Sequence, residues 1–104
     1  MDHRVTWSPE ALDDVEAIAE YIERDSPVYA RAVVQKILAT TRKLQRFPRA
    51  GRTVPELGDD AIRELLVYSY RVIYRVRDQT VLVAAVIHGK RELDPFVERL
   101  TDDE

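Results

Sequence analysis

Residues 70–77 of the sequence, YRVIYRVR, alternate arginine with apolar and aromatic side chains. Successive side chains of a β-strand point to opposite faces, so one face of this strand would carry Arg71, Ile73, Arg75 and Arg77. The guanidinium group binds phosphates and carboxylates through paired hydrogen bonds, which makes this face a candidate anion- or partner-binding surface. A solvated strand face is the more frequent meaning of such alternation, and both interpretations stay open here.

A second basic segment has the sequence HGKR and ends a long apolar run. Glycine at a strand end allows close backbone approach, and His88, Lys90 and Arg91 could together contact a phosphate. A lone histidine in such a place is more often structural. Because His3 is the only other histidine and cysteine is absent, we expect neither a metal site nor a cofactor.

The composition is that of a folded protein. The 104 residues are 45% hydrophobic and 34% charged, which predicts one domain spanning residues 1–104. A domain of this size has a thin core, so a sizeable exposed apolar patch would indicate a partner. No apolar run reaches the about 18 residues that a membrane span needs. The absence of cysteine agrees with a reducing compartment, so we expect a cytoplasmic protein that does not contact membranes.

The formal net charge of −3 conceals a polarised chain. Acidic residues dominate positions 10–25, whereas positions 42–52 carry only basic charges. Basic residues again prevail over positions 63–91, and the tail at 101–104 is acidic. The sequence therefore predicts an acidic first helix and a basic second half.

Two helices are predicted from their starts and their apolar stripes. Ser8 and Ser26 each precede a proline, a pair typical of a helix N-cap followed by proline at the first helical position. The second helix should end before Phe47-Pro48, because the residue before a proline avoids helical angles. With about three residues between them, the helices should form an antiparallel hairpin.

One strand is predicted before the helices and three after them, at residues 4–7, 62–67, 70–77 and 80–88. The last three are joined by two-residue turns and should form an antiparallel meander, whereas residues 49–60 are interpreted as an irregular loop. The final strand lacks alternation, so it should be covered on both faces or central in the sheet. The order β-α-α-β-β-β predicts an α+β fold with the helices on one sheet face. The opposite, helix-free face is where we expect the functional surface.

Six segments together carry a family resemblance: WSPEA (7–11), FP…GR (47–52), VPE (54–56), IREL (62–65), YRVIY (70–74) and VIHGKR (86–91). They resemble the RelE/ParE toxin superfamily of type II toxin–antitoxin systems, and especially its ParE-like branch. They occur in the family's order and cover nearly the whole chain. The fold that this resemblance implies is the β-α-α-β-β-β arrangement predicted above.

The resemblance implies a bacterial toxin that a cognate antitoxin neutralises in a hetero-oligomeric complex. A partly disordered antitoxin segment would lie over the helix-free sheet face or along the helical hairpin. We expect it to be acidic where it meets arginines, because unlike charges steer association. The residues expected to bind antitoxin or target are Arg71, Ile73, Arg75, Arg77, Lys90 and Arg91.

Members of the superfamily split into two mechanisms. RelE-like toxins are ribosome-dependent endoribonucleases that cut mRNA without a metal, and the positions matching their catalytic set are Arg63, Arg71 and Arg91, with His88 as a proton carrier. Their pattern also has a tyrosine after the last arginine. This chain has ELDPFV at residues 92–97 and no tyrosine there. Two of those residues are acidic and would repel RNA.

ParE-like toxins inhibit DNA gyrase, and for them a protein-binding surface suffices without catalytic residues. The long helical hairpin, the loop around residues 51–56 and the strand at residues 70–74 look closer to this branch. The resemblance therefore favours a growth-inhibiting, plasmid-stabilising gyrase inhibitor that is not an enzyme. The alternatives are the mRNA endoribonuclease and a degenerate module that binds its partner but is no longer toxic.

Overall fold

The computed structural model describes residues 2–101, which form a five-stranded sheet with helices on both faces. The predicted α+β class and the order of the first elements are confirmed. The elements in chain order are β1 (Arg4–Trp7), α1 (Pro9–Glu23), α2 (Pro27–Arg42), β2 (Arg52–Thr53), β3 (Ile62–Val67), β4 (Tyr70–Arg77), β5 (Thr80–His88) and α3 (Val97–Thr101), with short 3-10 helices at Lys43–Gln45 and Asp94–Phe96. No helix within residues 2–101 is long and apolar enough to cross a membrane.

Both long helices begin as the serine–proline pairs predict. The Ser8 hydroxyl accepts a hydrogen bond from the Ala11 N–H at 3.0 Å, and the Ser26 hydroxyl accepts one from the Tyr29 N–H at 3.1 Å. Each bond satisfies a backbone donor that has no partner inside its helix. The caps therefore fix the starting points of α1 and α2, whose antiparallel pairing forms the predicted hairpin.

The strands lie in the order β1-β5-β4-β3-β2, so β4 is central and β5 is interior. β1 runs parallel to β5, while the other neighbours are antiparallel. The three strands of the meander have the predicted bounds. The short β2 was not predicted, because its two residues lie within the glycine- and proline-containing stretch interpreted as loop.

A β-bulge explains why β5 lacks alternation. Ile73 pairs with Ala85 and Tyr74 pairs with Val83, so Ala84 is an extra residue on β5. The extra residue reverses the alternation of side chains between the two sheet faces, and apolar side chains of β5 pack on both faces. As predicted, β5 is covered on both faces.

The sheet packs on two hydrophobic clusters. The helical hairpin covers one face with side chains that include Val33, Ile37 and Leu44, packed on Val72 and Tyr74 of β4. The other face is covered by a second cluster, consisting of Val54, Ile62, Ile73, Ala84, Ala85, Ile87, Leu93, Phe96 and Leu100. The expectation of an open, helix-free sheet face is therefore wrong. Leu93, Phe96 and Leu100 have helical spacing and form a short apolar stripe that closes this face.

The C-terminal segment, residues 93–101, is fastened to α1 around the edge of β5. Arg99 donates hydrogen bonds of 2.8 and 3.2 Å to the Asp14 carboxylate, which also accepts the Val86 N–H at 3.0 Å. The pairing of β1 with β5 ends at Val83. Beyond that point β5 has no neighbouring strand on this side, and the Asp14 carboxylate accepts the Val86 N–H instead. The guanidinium of Arg99 also lies 5.0 Å from the ring centre of Phe96.

Leu100→Ala tests whether this segment contributes to the core. Leu100 is fully buried, and truncating a buried leucine lowers the free energy of unfolding by about 2–5 kcal/mol. Urea titration of the wild type, Leu100→Ala and the exposed control Glu98→Ala measures the difference. If Leu100→Ala is as stable as the control, the segment does not form part of the core.

Candidate functional site

Arg71 lies at the centre of a row of four alternating charges. Its Nε donates to Oε1 of Glu64 at 2.6 Å, and its two Nη atoms donate to the two carboxylate oxygens of Glu56 at 2.8 Å each. The second carboxylate oxygen of Glu64 accepts from Nε of Arg52 at 2.7 Å. We call Arg52, Glu56, Glu64 and Arg71 the ionic row. It joins β2, the following loop, β3 and β4.

The inner pair of the ionic row is buried. The side chain of Glu64 is 0% exposed and that of Arg71 is 8% exposed, whereas Arg52 and Glu56 lie at the surface. A buried charge needs partners that replace water, and each inner group has them. The two hydrogen bonds that Arg71 donates to the Glu56 carboxylate hold the pKa of Glu56 at about 2, and the same two bonds raise the pKa of Arg71 above its usual range.

Arg63 lies on the opposite face of the sheet from Arg71. It pairs across the strands with Tyr74, whose ring belongs to the core under the helices. Its guanidinium donates to the Gly51 carbonyl at 2.8 Å and to the Asp60 carbonyl at 3.0 Å, and it forms an ion pair with the Asp60 side chain at 2.6 Å. Arg63 therefore fastens the loop between β2 and β3.

Gly51 is required at the point where this loop meets the sheet. Its N–H donates to the Tyr74 hydroxyl at 2.9 Å, and a Cβ atom there would lie 2.4 Å from the Glu64 carbonyl oxygen. No larger residue fits without moving the strand. Burial raises the pKa of Tyr74, and the hydrogen bond that its oxygen accepts from Gly51 acts in the opposite direction.

His88 and Arg91 share a groove with two tyrosines. The groove has a volume of about 460 Å³ and runs between α1 and the edge of β5, with Tyr21 and Tyr70 among its lining residues. The His88 Nδ1 accepts the Lys90 N–H at 3.1 Å, and the Arg91 guanidinium lies 4.8 Å from the ring centre of Phe96. Of the four residues matching the RelE-like set, this groove is lined by His88 and Arg91 but not by Arg63 or Arg71. Arg71 pairs with Ile87 and lines a second groove with Gly89.

The residues predicted to bind antitoxin or target are dispersed. Ile73 is fully buried and Arg71 is nearly so, which removes both from an exposed partner surface. Arg75 is half-buried, and one of its Nη atoms donates to the Leu100 carbonyl at 3.4 Å. Arg77, Lys90 and Arg91 are exposed, with Arg77 beside the β4–β5 turn and the other two after β5. The predicted alternation is correct, but the face it defines is covered.

The structure brings together an aromatic cluster that the sequence did not predict. The rings of Tyr29 and Tyr68 meet edge to face at 6.0 Å, and those of Tyr70 and His88 at 5.6 Å. Burial raises the pKa of Tyr70, and the nearby Tyr29 and Tyr21 raise it further. We call Tyr21, Tyr29, Tyr68, Tyr70 and His88 the tyrosine cluster. It contains four of the five tyrosines of the chain, and the only signal in the sequence was that two of them lie off the apolar stripes of their helices.

Residues 2–101 contain no group of three or more histidine or carboxylate side chains placed to hold a metal ion.

Comparison with known families decides the assignment of the chain. Residues 5–93 match the family model described as the ParE toxin of the type II toxin–antitoxin system, parDE. The chain belongs to the ParE toxin family. It is therefore a toxin of the RelE/ParE superfamily, and membership of a toxin–antitoxin family implies an antitoxin partner.

Individual relatives agree with this assignment. Toxin RelE2 of Caulobacter vibrioides is 32% identical over 89 residues, which cover 85% of this chain and 97% of the relative. The chromosomal ParDE system of P. aeruginosa contains a chain with a TM-score of 0.69 at 21% identity, covering 83% of this chain and 95% of that one. A double arginine-to-alanine mutant of E. coli toxin RelE in the free state also has a TM-score of 0.69, at 18% identity, covering 96% and 99%. Likenesses at such low identity establish the fold alone.

Arg71→Ala tests the burial of the inner ion pair. Removing one partner of a buried pair leaves the other charge without its main donor and costs about 3–5 kcal/mol. The control is Arg49→Ala, which removes an ion pair with Asp60 that is exposed on both sides and should cost less than about 1 kcal/mol. Chemical denaturation measures both. Equal, small losses would mean that Glu64 is not held in a dry environment.

The pH dependence of stability tests the contact between Glu56 and Arg71. The pKa of Glu56 falls from 4.5 to about 2 in the folded chain. Between these two pH values Glu56 is protonated in the unfolded chain and ionised in the folded chain. The contribution of Glu56 is therefore full above pH 4.5 and is lost as the pH falls toward 2. Between pH 6 and pH 2.5, the free energy of unfolding of the wild type should fall more than that of Glu56→Gln. Glu98→Gln is the control, and a Glu56→Gln profile parallel to that of the wild type would contradict the contact.

Proposed function

We propose that the protein is a ParE-like toxin that inhibits DNA gyrase through protein contacts and that its cognate antitoxin neutralises. It acts by binding its target and not by catalysis. The observation that carries the proposal is the separation of the cationic side chains that a metal-independent ribonuclease would gather around one phosphate.

Cleavage of RNA without a metal needs cations aimed at the charge that develops on the scissile phosphate. The three nitrogens of the Arg71 guanidinium already donate to Glu56 and Glu64. Releasing this group for a phosphate would leave the buried Glu64 carboxylate without its main donor and would bring the phosphate next to Glu56. Arg71 is therefore better suited to holding the sheet together than to binding RNA.

The position of Arg63 supports the same conclusion. Its side chain leaves the sheet on the face opposite Arg71, where it is held by two backbone carbonyls and by Asp60. The two side chains leave the sheet on opposite faces, so they are poorly placed to bind one phosphate together. The acidic residues on the exposed side of α1, among them Glu16 and Glu20, also weaken any general affinity for nucleic acid.

One observation favours a second candidate function, that of a RelE-like mRNA endoribonuclease. His88, Arg91, Tyr21 and Tyr70 line one groove, which offers a proton carrier, a cation and hydroxyl groups within a small volume. The tyrosine that the sequence lacks after Arg91 would then be supplied by another strand or helix. The groove contains one guanidinium group, however, and the charge on a cleaved phosphate calls for several donors.

Expression of the toxin in cells without its antitoxin separates the candidates. The proposal predicts growth arrest with filamentation and induction of the SOS response, because inhibited gyrase leads to broken DNA, while messenger RNA stays intact. An SOS reporter and primer extension on abundant messages measure the two effects. Arg91→Ala and His88→Ala provide the contrast, with Lys43→Ala as a control outside the groove.

Rapid cleavage of messages that disappears in Arg91→Ala or His88→Ala and persists in Lys43→Ala would contradict gyrase inhibition and establish the ribonuclease. Normal growth of cells that accumulate the folded protein would contradict both and leave a degenerate partner-binding module.

A further inference from the structure

We propose that the tyrosine cluster, together with Lys90 and Arg91, is the surface on which the antitoxin docks. The docking segment is inferred to carry apolar or aromatic anchor residues next to carboxylates. This inference rests on the proposed function, because it takes the antitoxin as the occupant. It deepens that function by naming the residues of the toxin and the chemistry of the partner segment.

The exposure of the tyrosine rings is the first observation. Tyr21 is 68% exposed and Tyr68 is 57% exposed, and the neighbouring Val28 and Leu66 are exposed to a similar degree. A small domain with little apolar surface to spare for solvent rarely concentrates such side chains at one end unless a partner covers them. Tyrosine is also enriched among the residues that dominate binding energy, because a large, rigid ring is ordered at little entropic cost.

The backbone at Tyr68 is the second observation. Tyr68 lies in the turn between β3 and β4 with a φ of 54°, in the left-handed region. Glycine and asparagine adopt this conformation far more readily than a bulky aromatic residue. The ring of Tyr68 is exposed, so core packing does not account for tyrosine at this position. A strained residue that folding does not require is a reason to look for a binding role.

The shape of the surface is the third observation. The cluster lies between two grooves of about 460 Å³ each. One is the groove between α1 and the edge of β5, and its floor includes the apolar side chains of Ala17 and Ile18. The other lies beside Tyr68, and its lining combines Leu66 and Pro55 with three members of the ionic row, Arg52, Glu56 and Arg71. Both grooves are open to solvent, and the first, whose lining is mostly apolar, can accept an apolar side chain of a partner.

The charges at the rim indicate the chemistry of the occupant. Arg49, Arg52, Arg63, Arg71 and Arg99 all form ion pairs with carboxylates. Among the described residues, neither Lys90 nor Arg91 has a carboxylate within ion-pair distance. Arg91 lines the groove that contains Tyr21 and His88, and Lys90 is exposed directly before it in the chain. A segment with carboxylates beside its apolar anchors is therefore complementary to this surface.

The test is the affinity of the protein encoded by the adjacent reading frame, purified and titrated by calorimetry against wild-type toxin and variants. Tyr21→Ala and Arg91→Gln should each raise the dissociation constant at least about 10-fold, the change expected when a central contact is removed. Phe47→Ala is the matched control. It removes a similarly exposed aromatic ring beyond the far end of α2, and that end lies about 20 Å along the helix axis from Tyr29.

Tyr68→Asn separates an effect on binding from an effect on folding. Asparagine adopts the left-handed backbone more readily than tyrosine, so the thermal midpoint should stay unchanged or rise. The affinity for the adjacent protein should nevertheless fall at least about 10-fold. A loss of affinity without a loss of thermal stability would support docking at Tyr68. This result stands even if Tyr21→Ala or Arg91→Gln folds poorly.

Three results would overturn the inference. Wild-type binding that is unchanged in Tyr21→Ala, Tyr68→Asn and Arg91→Gln would overturn the docking surface and leave the toxin–antitoxin pair intact. Absence of binding to the wild type would overturn the pairing itself, and the docking surface with it. Dissociation of a toxin dimer in Tyr21→Ala, with antitoxin affinity unchanged, would make the occupant a second copy of this chain.

Discussion

The buried ion pair between Glu64 and Arg71 is the interaction on which the arrangement of the site depends. A carboxylate without access to water must be surrounded by donors, and Arg71 and Arg52 supply them from two different strands. Arg71 in turn requires the Glu56 carboxylate, so the loop after β2 is held against the sheet. This draws Val54 into the second cluster. One buried charge thus determines where β2 and its loop lie.

Covering both faces of the sheet leaves its ends for function. The helical hairpin occupies one face, and the C-terminal segment, fastened by Asp14 and Arg99, occupies the other. What remains exposed is the end where the β3–β4 turn, the tips of α1 and α2 and the end of β5 meet. Four tyrosines, one each from α1 and α2 and two from the β3–β4 hairpin, converge there beside Lys90 and Arg91. A thin domain with both faces used for stability can still bind a partner at such an end.

The predictable features were local ones. The strand bounds at residues 62–67, 70–77 and 80–88 follow from alternation and two-residue turns, and the helix starts follow from Ser8 and Ser26 as caps. The closing of the second face was not predicted, because its apolar stripe at Leu93, Phe96 and Leu100 is short and contains Pro95. The tyrosine cluster depends on tertiary contacts between distant segments, which no periodicity reveals.

The separation of Arg63 from Arg71 was within reach of the sequence. A two-residue turn at Tyr68-Ser69 pairs Val67 with Tyr70 and therefore Arg63 with Tyr74. The alternation along β4 places Tyr74 on the face opposite Arg71, so Arg63 had to share the face of Tyr74 while Arg71 pointed the other way. Resemblance to a catalytic pattern suggested that the two arginines meet. The strand register decides that they do not.

We propose that Arg63 and Arg71 stabilise the fold of a toxin that acts by binding another protein. The decisive test is a supercoiling assay with purified gyrase. It is run beside a ribosome-programmed mRNA cleavage assay with the same toxin preparation. Added toxin should abolish supercoiling, the antitoxin should restore it, and the mRNA should stay uncut. Cleaved mRNA together with unaffected supercoiling would contradict it.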